Sequence, residues 1–100
     1  MFKKILIISV FILSYANAHT AVMACFDNGD GTITCEGGFS DGASASGISM
    51  YIKQNDKTTI EGEMNEDSEF TFNKPQKSYV VYFDAGQGHI VSIKGEDIVE

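Results

Sequence analysis

The chain of 100 residues has no arginine, one proline, two cysteines and two histidines. Each scarcity excludes something. Without arginine or any basic stretch there is no footprint for nucleic acid. The longest mostly apolar stretch, Ile5 to Leu13, interrupted only by Ser9, is about half the ~20 residues a spanning helix needs, so it is not expected to serve as an uncleaved anchor. Neither a Gly-x-Ser-x-Gly elbow nor a phosphate-binding loop is present, so no enzyme chemistry is expected. With His19 and His89 as the only imidazoles, any metal site built on imidazole must use one or both.

The amino-terminal residues have the shape of an export signal. Lys3 and Lys4 supply a positive start, an apolar stretch follows, and Ser14 to Ala18 turn small and polar. Ala16-Asn17-Ala18 places the cut after Ala18. Residues 1–18 are then a cleaved signal peptide and residues 19–100 one small β-domain, too short for a second core. The expected destination is the periplasm. Val22-Met23-Ala24-Cys25 offers a rival, lipoprotein-type cut. It is set apart from the apolar run by Asn17, His19 and Thr20, and lipidation would leave Cys35 without a partner. Cutting after Ala18 makes His19 the first residue, with a terminal amine and a ring nitrogen for one metal ion. Loss of Lys3 and Lys4 leaves five lysines against fourteen acids.

Short apolar runs broken every eight to twelve residues by Gly, Asn and Asp predict strands. These are Ala21–Phe26, Thr32–Phe39, a strand through Ile48, Met50 and Ile52, then Thr58–Met64, one holding Phe70 and Phe72, Ser78–Asp84 and His89–Lys94. Lys74-Pro75 closes the fifth, since proline cannot donate to a ladder. The fold class is all-β: a seven-stranded immunoglobulin-like or transthyretin-like sandwich.

Strands running end to end alternate their connections between two ends. His19, the 40–47 loop, Glu66 and Asp67, and His89 fall at one end; the 28–31, 55–57 and 74–78 connections fall at the other. Cys25 and Cys35 flank the first hairpin. A loop centred on Gly29-Asp30 would pair Cys25 with Thr34, and one centred on Asp30 would pair Cys25 with Cys35. The second register sets His19 opposite Asp41. An even pair of cysteines in a small exported domain predicts a disulfide, worth roughly 3 kcal/mol for so short a loop. Asn28 to Ile33 is a hairpin turn with no calcium role: Phe26 and Gly37 stand where an EF-hand loop needs acidic ligands.

Three segments together are familiar: Cys25 to Thr32, Glu36-Gly37-Gly38-Phe39-Ser40-Asp41-Gly42, and Phe83-Asp84-Ala85-Gly86-Gln87-Gly88-His89. They resemble the small exported accessory proteins of nickel and cobalt uptake transporters. The resemblance implies a non-catalytic sandwich that delivers Ni²⁺ or Co²⁺ to membrane transporter subunits. His19 and His89 are the expected ligands, and Asp41 an additional one. Nitrogen donors also suit Cu²⁺, so a periplasmic copper carrier is the alternative. A metal-free protein-interaction module is a further one.

Overall fold

The computed structural model describes residues 20–86 and 88–100; residues 1–18, expected to be a signal peptide, His19 and Gln87 lie outside the described residues. Alternating side chains build seven strands: β1 (Ala21–Asp27), β2 (Thr32–Phe39), β3 (Ser49–Gln54), β4 (Lys57–Glu63), β5 (Glu69–Asn73), β6 (Val80–Asp84) and β7 (Ile90–Lys94). A 3-10 turn, Gly95–Asp97, follows. Ser78 and Tyr79, expected within the sixth strand, precede it, although the Tyr79 carbonyl accepts the Gly95 N–H at 2.8 Å.

The strands form two antiparallel sheets, β1-β2-β5 and β4-β3-β6-β7. β2, β3 and β6 alternate towards a common interior that holds Ile33, Cys35, Met50, Ile52, Val81 and Phe83 with essentially no exposed surface. Each such side chain stabilises the fold by roughly 1.5–3 kcal/mol when fully buried. On β1, Ala21, Met23 and Cys25 pack against this core while Val22 and Phe26 face solvent. Phe70 and Phe72 both turn inward, with ring centroids 6.0 Å apart.

The first hairpin takes the Asp30-centred register, with Cys25 opposite Cys35 and Ala21 opposite Phe39. Cys25 and Cys35 are disulfide-bonded. Asp27 accepts the Gly29 N–H at 2.8 Å, and Asp30 accepts both the N–H and the hydroxyl of Thr32. Those carboxylates thus shape the turn itself. At the β3–β4 hairpin Asn55 and Asp56 both have positive φ, the type I′ geometry that matches strand twist.

The two sheets are stitched at the end where β2 and β4 finish. Ser68, a serine with φ of 60°, accepts the Ala45 N–H through its hydroxyl oxygen at 2.9 Å. Its carbonyl accepts the Gly37 N–H at 2.9 Å. At the opposite end the chain terminus returns along β1, where the Val99 carbonyl accepts the Asp27 N–H at 3.0 Å.

Candidate functional site

The end carrying the 40–47, 64–68 and 85–89 connections is defined by strand direction. β1, β3, β5 and β7 start there, and β2, β4 and β6 finish there. The expected gathering of the 40–47 loop, Glu66, Asp67 and His89 at one end is what this topology produces.

His89 is positioned by the turn before it. Its N–H donates to the Gly86 carbonyl at 2.9 Å, and its carbonyl accepts the Ala85 N–H at 3.0 Å. Gly86 and Gly88 have φ of 104° and 77°, which a side chain would resist. Asp84 holds the same turn from below: Oδ1 accepts the Gly86 N–H at 3.0 Å, and Oδ2 accepts the Tyr51 hydroxyl at 3.2 Å. Burial, together with the negative charge of Asp84, pushes the Tyr51 phenol up from its ordinary value of 10.0. Tyr51 therefore remains a donor to Asp84 through neutral pH. Its ring stacks on Tyr82 of the neighbouring strand at 5.1 Å. The His89 backbone thus rests on a braced strand pair.

β1 and β7 meet where the two sheets close on each other. Thr20, Ala21, Gly88 and His89 line one cleft of about 220 Å³ there. Thr20 is tied in turn to the 40–47 loop: its N–H donates to Ser40 Oγ at 2.9 Å, and its carbonyl accepts the Ser40 N–H at 2.8 Å. Asp41 is the next residue, and its Oδ1 accepts the Ala43 N–H at 3.0 Å. The structure therefore connects Thr20 both to His89, across the cleft, and to the residue beside Asp41. His19 lies outside the described residues. Among the described residues, no group of three or more His, Cys, Asp or Glu side chains is arranged to hold a metal ion. Cys25 and Cys35 are bonded to each other and supply no thiolate.

Charge is divided unevenly between the two ends. Glu36, Asp41, Glu61, Glu63, Glu66, Asp67, Glu69 and Asp84 lie in the half nearer His89, with no lysine among the described residues there. All five lysines after Ala18 lie in the other half. Two features escape inspection of the sequence. The Ser68 stitch carries no local signal, because nothing marks a serine for positive φ. The lysines gather only after strand order brings the ends of β3, β5 and β7 together; their positions next to the 55–57 and 74–78 connections were the available clue.

No protein-family model matches the chain, and no curated protein or solved structure matches it.

Proposed function

We propose that this is an exported, non-catalytic metal-binding domain that captures Ni²⁺ or Co²⁺ and passes it to a membrane uptake transporter. The observation that carries this reading is the junction at Thr20. Thr20 shares a cleft with His89 and pairs with Ser40, beside Asp41. A free amino terminus at His19 would then add an amine and a second imidazole to that junction. Such nitrogen donors, with one carboxylate, suit late divalent transition metals. The excess of acids at this end raises the local concentration of cations.

The bonded cysteines fit an oxidising compartment, in line with export to the periplasm. The pairing of β4 with β3 rather than β5 supports an immunoglobulin-like sandwich in which the fourth strand has changed sheets. Donor chemistry alone ranks Cu²⁺ above Ni²⁺ and Co²⁺, so copper carriage is the second reading.

Calorimetric titration of the protein beginning at His19 with each of the three ions decides among these. Binding is expected to weaken by about 100-fold or more in His89→Ala, since even outer-shell partners of a metal cost 10–100-fold. Acetylating the His19 amine should weaken it comparably. If no ion binds tighter than millimolar, the metal-free interaction module is the correct account.

A further inference from the structure

A broad cleft lies at the opposite end from His89. It measures about 640 Å³ and opens between the Asn55–Asp56 turn, the Pro75–Ser78 link and the Gly95–Asp97 turn. Lys53, Lys74, Lys77 and Lys94 all line it. These are four of the five lysines that follow Ala18, in a chain with fourteen acids. Like charges repel, so an acidic chain lowers its energy by dispersing its few cations among its acids. Here all five lysines after Ala18 sit in one half, which also holds six of the fourteen acids, and four of the five converge on a single cleft.

The lysines are placed by the sheet. Val80 pairs with Lys53 on one side and with Lys94 on the other. Both lysines therefore stand in one row on the outer face, two strand spacings or roughly 9.6 Å apart. Lys53 Nζ is 5.7 Å from the Tyr51 ring centroid and 5.4 Å from that of Tyr82, so cation–π attraction holds it over the sheet. Lys74 is engaged by Asp27 at 2.8 Å. Val80 and Tyr82 contribute apolar surface between the ammonium groups. A second, independent feature lies in the wall. Tyr79 is 8% exposed, and its hydroxyl, though buried, has no hydrogen-bond partner among the described residues. An unmet buried phenol costs free energy.

We propose that this cleft is a docking site for a short, extended acidic segment of a partner protein. Segment carboxylates pair with Lys53, Lys77 and Lys94, and its aliphatic stems lie over Val80 and Tyr82. Asp56 and Glu96 also line the cleft, so it accommodates a few carboxylates and not a dense polyanion. The site is independent of any metal at the other end.

Fluorescence anisotropy of a labelled hexaglutamate peptide, titrated with the protein beginning at His19, tests this. Saturable binding is expected at low salt, weakening by about 10-fold when salt rises from 20 to 200 mM, as screening requires. Lys53→Glu/Lys94→Glu should reduce affinity by about 10-fold or more. Lys77→Glu/Lys94→Glu, which leaves the Tyr51–Tyr82 contact intact, should do the same. Lys57→Glu changes the net charge in the same direction but lies outside the cleft, and should retain most of the affinity. Absence of binding overturns the proposal. So does equal binding of hexaglutamine, an equal loss in Lys57→Glu, or binding of inorganic phosphate without the peptide.

Discussion

Adding one methyl group to β2 at Gly37 should destabilise the domain, while the same addition one residue later should not. Gly37 faces inward. A Cβ built there lies 2.6 Å from Phe83 Cε2, and 3.0 Å from both Phe83 Cδ2 and Met64 Cε. The Met64 methyl is the end of a flexible chain and can move aside. Phe83 cannot: it is fully buried, with Phe39 packed edge-on at 5.9 Å. Overpacking of this kind costs about 1–3 kcal/mol. A cost near 2 kcal/mol lowers Tm by roughly 8–16 °C in a domain of this size. Gly38 faces outward, and its nearest atom would be the Ala43 carbonyl oxygen at 4.0 Å. Gly38→Ala should therefore leave Tm unchanged or raise it, because alanine restricts the unfolded chain. Thermal unfolding followed by circular dichroism at neutral pH measures both. The named clash is tested by a double-mutant cycle of Gly37→Ala with Phe83→Leu. A coupling of about 0.5 kcal/mol or more is expected, and strict additivity would refute the assignment. A Gly37→Ala melting point within about 2 °C of the parent would refute the reasoning as a whole.

Reducing the Cys25–Cys35 bond, which joins residues ten apart, should lower stability by about 3 kcal/mol on the loop-entropy relation; urea titration with and without reductant measures it. Ser68→Ala strips the buried Ala45 N–H of its acceptor and should cost about 1–3 kcal/mol, again by urea titration. Acid should also weaken the fold. The Asp27 carboxyl is held below its ordinary value of 3.8 by the hydrogen bond from Lys74 and then that from Gly29; Asp30 is lowered by the Thr32 hydroxyl and N–H. A lowered carboxyl contributes stability above its unfolded value and loses it as pH falls through the folded one. The loss therefore begins near pH 3.8 and continues below it, and Asp27→Asn/Asp30→Asn should flatten this part of the pH–stability curve. On the alkaline side, Lys74 is raised from 10.5 by its bond to Asp27, and Tyr79 from 10.0 by burial. Both contributions are present below the unfolded values and fade as pH rises through the folded ones, so a second decline should start above about pH 10.

The strands were legible because each carries its own period. Met50 and Ile52 alternate with Tyr51 and Lys53, and the structure buries the first pair. The Asn28–Gly31 turn leaves two registers for the first hairpin, one centred on Gly29-Asp30 and one on Asp30, and only the second, which the fold adopts, brings Cys25 opposite Cys35. Sheet membership was not legible. Nothing local in Lys57–Glu63 says that β4 joins β3 while β5 crosses to β2. The same holds for Gly95, whose added Cβ would overlap the Tyr79 ring; that packing spans sixteen residues and has no periodic signal. Counting strand reversals puts His89 and the 40–47 loop at one end; that β7 lies against β1 there, bringing His89 near Thr20, is set by sheet packing, which the count does not give. The bracing of its turn by Asp84 and Tyr51 depends on strands β3 and β6 being neighbours, which a linear pattern does not encode.

The segregation of lysines to one end has a consequence at distances beyond any contact. A body with its positive groups at one pole and an excess of carboxylates at the other is an electric dipole. In the field of a charged partner it experiences a torque before it touches, and diffusional encounters become oriented rather than random. A cationic surface will meet the His89 pole first and an acidic one the lysine pole. Reversing the sign of two or three lysines would remove this orientation while leaving every core contact in place, and raising salt would shorten its range in the same way.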